Sequence, residues 1–217
     1  RVHILGSGTN TYFGENLENL FVVKICMKGI SCEDFEESVL LTAYAGEIWD
    51  DLVHFSTNQN LWGIENLSYI PGTVGAAPVQ NIGAYGAELK DVFVSLSALD
   101  RDTLDVVAID RDACDFGYRD SLFKHEAGKY VILSVTMRLS KKAFPRLSYK
   151  PLDALLLKED ITPQEVRELV VATRKAKLPE WKEHPNAGSF FKNPVITKVQ
   201  FDALRFKYPD VPVIPHT

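Results

Sequence analysis

The chain has 217 residues, 46% of them hydrophobic and 24% charged, with a formal net charge of −5 at pH 7. That is enough sequence to bury one large core or two small ones, with the composition of an ordinary globular chain. The acidic balance argues against a nucleic-acid partner, and no apolar run approaches the roughly 18 residues of a membrane span.

The first expected element is a strand at Val2–Leu5, which feeds the loop Gly6-Ser7-Gly8-Thr9-Asn10. Its glycines permit close backbone approach, and its polar side chains add donors. The loop is either a plain turn or an anion-binding nest; it is not GxGxxG, and no helix pattern follows. Strands are expected at Leu20–Ile25 and Val39–Ala45. The spacing then predicts a helix over Glu47–Asn58, with Ile48, Trp49, Leu52, Val53 and Phe55 on one side.

Residues 70–86 read IPGTVGAAPVQNIGAYG and carry no charge. Gly72 and Gly75 flank Thr73, and a second small-residue turn follows at Gly83-Ala84-Tyr85-Gly86. On local grounds this is equally a cluster of β-turns or a backbone cradle for a long phosphate-bearing ligand. Further strands are expected at Val92–Leu99 and Thr103–Ile109, joined as a hairpin through Asp100-Arg101-Asp102, and at Tyr130–Leu139. Between them, Arg119 stands in Phe116-Gly117-Tyr118-Arg119-Asp120-Ser121. Its planar fork suits a carboxylate or phosphate, although a lone arginine is also an ordinary surface residue.

A polar, proline-bearing loop is expected over Ser140–Pro151. The next helix, Thr162–Lys177, has Thr162 as N-cap, Pro163 at its first position and Glu165 completing a capping box. Lys177 either complements the helix dipole or reaches a phosphate. A break at Leu178–Ala187 marks a domain boundary, giving regions 1–178 and 179–217. Beyond it, Ser189 lies beside two phenylalanines in Asn186-Ala187-Gly188-Ser189-Phe190-Phe191-Lys192-Asn193-Pro194, and a weaker helix runs over Lys198–Phe206. The five histidines and three cysteines show no ligand spacing, so no metal site is expected. The cysteines (Cys26, Cys32, Cys114) read as reduced, buried small hydrophobes in a cytoplasmic protein. Strands dominate with helices interspersed irregularly, an α+β pattern. Opening on Arg1 and stopping at VIPHT, the chain reads as a piece of a longer protein.

Four segments, ILGSGTN (4–10), ENLSYIPGTVGAAPVQNIGAYGAEL (65–89), FGYRDSLFKH (116–125) and KLPEWKEHPNAGSFFKNP (177–194), together resemble the UDP-N-acetylenolpyruvoylglucosamine reductase (MurB) family. The resemblance covers nearly the whole chain. It implies a vanillyl-alcohol-oxidase-type FAD-binding domain followed by the start of a substrate domain. It also implies a monomeric cytoplasmic flavoenzyme of peptidoglycan synthesis. In such an enzyme NADPH reduces non-covalent FAD, flavin N5 passes hydride to C3 of the enolpyruvyl ether of UDP-N-acetylglucosamine, and C2 is protonated to give UDP-N-acetylmuramate.

By the same resemblance Arg119 stabilises the enolate-like intermediate and Ser189 delivers the proton. Tyr118, Tyr149, Lys177 and Asn193 contact substrate, Tyr149 from a mobile loop. The FAD contacts fall on Gly6, Ser7, Gly8, Thr9 and Asn10, on Pro71, Gly72, Thr73, Gly75 and Ala76, and on Asn81, Gly83, Ala84, Tyr85 and Gly86. The first loop departs from the more usual Gly-Gly-Gly-Ser-Asn. The family's catalytic glutamate near its C-terminus has no counterpart here. Two other readings stand beside this one: a flavin oxidase of the same fold acting on another alcohol, and a nucleotide-binding module without redox chemistry.

Overall fold

The computed structural model describes residues 2–14, 17–150, 152–179, 183–184 and 191–211. In chain order its main elements are β1 (Val2–Leu5), β2 (Phe21–Lys24), β3 (Ile30–Asp34), β4 (Ser38–Tyr44) and α1 (Trp49–Asn58). They continue with β5 (Gly83–Ala84), β6 (Ala87–Glu88), β7 (Phe93–Asp100), β8 (Val106–Asp110) and α2 (Leu122–His125). Last come β9 (Tyr130–Ser140), α3 (Pro163–Lys177) and α4 (Lys198–Lys207). The α+β class expected from the sequence is what forms.

Five strands make an antiparallel sheet in the order β3-β4-β9-β7-β8. Alternation along β4 turns Val39, Leu41 and Ala43 to one face, and β9 does the same with Val135, Met137 and Leu139. Trp49, Leu52 and Val53 of α1 belong to the same core, and the Trp49 indole N–H donates to the Leu67 carbonyl at 2.9 Å. On the sheet's other face the hydroxyls of Thr42 and Thr136 pair across strands at 2.9 Å. The β7–β8 hairpin turns through residues 101–105, close to the expected place. β1 and β2 form a separate parallel pair, Val2 opposite Phe21 and Leu5 opposite Lys24.

Three expectations change. The strand β3 was not anticipated, because every residue of ISCED is exposed and an edge strand with no buried face leaves no alternation to read. The helix at 47–58 begins two residues later. The Glu47 carbonyl accepts the Val74 N–H at 2.8 Å, and Ile48 pairs with Thr73, so Ile48 stays extended and is exposed. Of the cysteines only Cys114 is buried, its thiol pushed up to about 12 chiefly by burial and then by Asp110. Cys26 and Cys32 are exposed, on or beside the edge strand.

A second, smaller core gathers Trp62, Leu147, Leu152, Val166 and Val170. It holds α3 and both ends of the 147–152 loop, with Tyr85 and Leu169 packed on its border. The Thr162 hydroxyl accepts the Glu165 N–H at 3.3 Å, and the Glu165 carboxylate accepts the Thr162 N–H at 3.0 Å, the reciprocal cap read from the sequence. Residues 1–186 form one compact unit and 187–217 another. In the second, α4 carries the same kind of cap from Thr197 and Gln200.

Candidate functional site

The loop at 6–10 lies against the glycine segment. An added Cβ on Gly6 would come within 2.7 Å of the Thr73 hydroxyl oxygen, and one on Gly72 within 3.5 Å of the Thr9 hydroxyl oxygen. The Asn10 amide donates to Gln80 at 3.4 Å. Together these turns form part of the wall of a cleft of about 670 Å³, lined among others by Ile4, Gly6, Thr73, Gly75, Ala76 and Val79.

The glycine segment is not an open nest throughout. The N–H groups of residues 74 to 77 are bonded to the carbonyls of Glu47, Ala45, Thr73 and Val74, and those of Asn81 and Ile82 to Pro78 and Ala77. The chain there folds into two short 3-10 turns, which consume the donors that the run of glycines suggested were free. Small side chains serve close packing instead: a Cβ on Gly75 would meet the Ala45 Cβ at 2.6 Å. The 6–10 loop keeps the exposed polar groups, with Ser7, Thr9 and Asn10 all at the surface. Gly8 has φ +77°, and an added Cβ there meets nothing within 4 Å.

Asn81 is fully buried with φ +42°, and its side chain is wholly engaged. It donates to the Gly117 carbonyl at 3.0 Å and to Glu88 at 3.1 Å, and accepts the Lys90 N–H at 3.0 Å. Its contribution is therefore to the shape of the turn. Strands β5 and β6 close around Tyr85 (φ +49°) and Gly86 (φ +80°), a type I′ turn with tyrosine where asparagine is usual.

Arg119 is held on this turn. Gly117 and Asp120 exchange backbone bonds of 3.1 and 3.3 Å, so Tyr118 and Arg119 form a two-residue loop, and Arg119 adopts φ +54°. That conformation costs a non-glycine residue on the order of 1–3 kcal/mol and persists only where the surroundings fix it. Here the guanidinium donates to the Gly83 carbonyl at 2.6 Å and lies 5.4 Å from the Tyr118 ring centroid. The Lys124 ammonium donates to the Arg119 carbonyl at 2.6 Å, and the Ser121 hydroxyl donates to the Val79 carbonyl at 2.7 Å. A permanent cation is thus pinned to the second glycine turn.

Tyr149 meets the same turn from the other side. Its ring packs edge-on to Tyr85, centroids 6.0 Å apart, and is 42% exposed. The Asn66 amide donates both to the Tyr85 carbonyl at 2.8 Å and to the Arg146 carbonyl at 2.9 Å, joining the turn to the root of the loop. Burial holds the neighbouring Glu65 carboxyl above the usual carboxylate range, against the Gly63 N–H at 2.6 Å and the charge of Arg146. Lys177 is exposed in the last turn of α3. Ser189 lies outside the described residues, and Asn193 is an exposed residue of the second unit. Arg119, Tyr118, Tyr85 and Tyr149 are thus brought around one turn, whereas of the 6–10 loop only Gly6 lines the cleft, with Ser7, Thr9 and Asn10 at the surface beside it.

Sequence reasoning passed over Asn66, Lys124 and Arg174. Nothing in their spacing marks them, since each acts on a backbone carbonyl far along the chain or in a turn.

Comparison with known proteins gives four findings. The FAD binding domain family (FAD_binding_4) matches residues 1–104. The UDP-N-acetylenolpyruvoylglucosamine reductase of Pseudomonas aeruginosa is 47% identical over 212 residues, 96% of this chain and 62% of that protein. The enzyme of the same name from Pasteurella multocida is 44% identical over 215 residues, covering 99% of this chain and 62% of its own length. The crystal structure of the Thermus caldophilus enzyme, at 22% identity, shares the fold with a TM-score of 0.61 over 89% of this chain and 61% of that one. The chain thus spans about 62% of the length of these curated relatives. Over that span, it is similar to the UDP-N-acetylenolpyruvoylglucosamine reductases.

Proposed function

We propose that the whole protein binds FAD and uses NADPH to reduce the enolpyruvyl ether of UDP-N-acetylglucosamine to UDP-N-acetylmuramate, as a cytoplasmic monomer in peptidoglycan synthesis with no nucleic-acid partner. In this reading residues 1–178 belong to the cofactor domain and 179–217 open the substrate domain. The observation that carries it is the fixing of Arg119 on the Gly83 carbonyl, at the end of a glycine segment that lies against a second glycine loop.

The residues fit a flavin dinucleotide. The 6–10 loop exposes three polar side chains, and the space over Gly8 is open. The cleft beside it, about 670 Å³, is within the range of small-molecule sites. Gly6, Ser7, Gly8, Thr9 and Asn10 would hold the diphosphate, and Pro71 to Ala76 and Asn81 to Gly86 would form the floor. Bound FAD supplies the hydride relay from NADPH to C3 of the enolpyruvyl group.

The remaining steps belong to side chains. As hydride reaches C3, negative charge moves towards the substrate carboxylate. A guanidinium already locked in place stabilises that charge without reorganising, the condition under which such groups contribute most. Ser189 delivers the proton to C2, for which a hydroxyl needs orientation and a relay. Tyr118, Tyr149, Lys177 and Asn193 bind the sugar nucleotide, Tyr149 by closing over it.

The test is Arg119→Ala in the full-length protein. Reduction of bound flavin by NADPH is expected to persist, while turnover of the sugar nucleotide falls about 100-fold or more, the usual cost of one charge-stabilising donor. Equal loss of both half-reactions would reduce Arg119 to a folding role. Failure of the purified protein to take up FAD would end the reading.

A further inference from the structure

Arg174, in the last turn of α3, reaches both ends of the glycine segment. Its Nε donates to the Tyr69 carbonyl at 3.1 Å, and its guanidinium lies near enough to the Tyr85 hydroxyl to oppose the burial that pushes that phenol up. Both partners stand in left-handed backbone, Tyr69 at φ +58° and Tyr85 at φ +49°. The Tyr69 N–H is held as well, by Asp50 at 2.5 Å, and Asp50 in turn takes the Arg167 fork at 2.5 and 2.9 Å. Helix α3 thus fixes the point where the chain enters the glycine segment and the aromatic ring near where it leaves.

That ring is where Tyr149 rests. Tyr149 packs edge-on to Tyr85, and the ring edge and the Ser148 hydroxyl lie 3.9 and 3.8 Å from a Cβ built on Gly86. The loop is anchored on both sides by the buried Leu147 and Leu152. Tyr149 is therefore carried on a short arm between two fixed points, and Tyr85 sets its position. Aromatic pairs of this geometry contribute on the order of 1 kcal/mol beyond burial, enough to bias a short loop.

We propose that Arg174 is a positioning residue for sugar-nucleotide capture, acting through the Tyr85 ring on Tyr149. This rests on the functional reading above. An alternative, purely structural role for Arg174 would be to cap the C-terminal end of α3, where cations are favoured in any helix. The two are separated by a double-mutant cycle, because only residues acting through one another are non-additive.

The experiment uses the full-length protein, the enolpyruvyl sugar nucleotide and NADPH. Tyr149→Ala and Arg174→Met are each expected to raise KM for the sugar nucleotide about tenfold, the scale of one hydrogen bond to a charged group, with kcat and NADPH-driven flavin reduction changed less than about twofold. The double variant is expected to raise KM no further. A rise equal to the product of the single effects overturns the proposal, as does an unchanged KM in either single variant. If Arg174→Met does not fold, Tyr85→Phe, which removes only the hydroxyl, takes its place in the cycle and is judged by the same outcomes. Absence of flavin reduction in the unsubstituted protein removes the functional reading and this inference with it. Normal flavin reduction with an additive cycle removes this inference alone.

Discussion

A Cβ added at Gly75 would stand 2.6 Å from the Ala45 Cβ and 3.1 Å from its Cα. Neither neighbour is the end of a flexible side chain, so the glycine turn must lift off the turn that follows β4. Gly8 differs, since a Cβ there meets nothing and the cost is only that of φ +77°. Gly75→Ala is therefore expected to lower stability by about 1–3 kcal/mol in chemical unfolding. Gly8→Ala is expected to cost about 1–2 kcal/mol and to show mainly as weaker FAD binding in a fluorescence titration. A Gly75→Ala protein that unfolds at the original midpoint would contradict the close approach. The smallness of these residues was legible from the sequence, but their division of labour was not. One glycine packs against the turn that follows β4, far back along the chain, and only the pairing of Gly75 N–H with Ala45 reveals it. In the same way the sequence marks Arg119 as a fork without showing what aims it, because the Gly83 carbonyl and the Lys124 ammonium become neighbours only in the folded turn.

Helix α3 was readable end to end, since Thr162, Pro163 and Glu165 are local signals and Val166 and Val170 repeat at helical spacing. Its attachment to α1 was not, because Asp50 and Arg167 are 117 residues apart. Burial pushes the Asp50 carboxyl up, but the Arg167 fork and the Tyr69 N–H outweigh it and hold the group below its ordinary value of 3.8. A carboxyl whose folded pKa is depressed contributes its stability above the unfolded value, and the contribution is lost as pH falls through the folded one. Asp50→Asn keeps an acceptor for Tyr69 but removes the charge. It is expected to cost about 2 kcal/mol at neutral pH and to make the loss of stability below the ordinary carboxylate range shallower, as urea midpoints measured down through acid pH would show. A variant that loses stability in acid as steeply as the unsubstituted protein would mean that the ion pair does not govern that region. Edge strand β3 went unread for a related reason: its register comes from pairing Cys32 with Leu41 across the sheet, and its own residues carry no pattern.

The first compact unit has two cores with different duties. The larger one, built on the five-stranded sheet and α1, places the glycine turns; the smaller, around Trp62 and α3, holds the loop that carries Tyr149. Trp62 joins them physically, exchanging backbone bonds of 2.8 and 2.9 Å with Ser140 at the end of β9 while its side chain belongs to the smaller core. Local stability follows such divisions, with small peripheral clusters opening before the central sheet. Leu152 is fully buried in the smaller core, so Leu152→Ala creates a cavity and is expected to cost about 2–5 kcal/mol there. Because the sheet does not depend on Leu152, amide exchange should accelerate over residues 146–156 and α3 while β4 and β9 keep their protection. Leu41→Ala, in the middle of the sheet core, should instead lower protection everywhere. If Leu152→Ala accelerates exchange in β9 as much as in the loop, the two cores unfold as one. Tyr149 could then not be released without loosening the floor on which Arg119 is fixed.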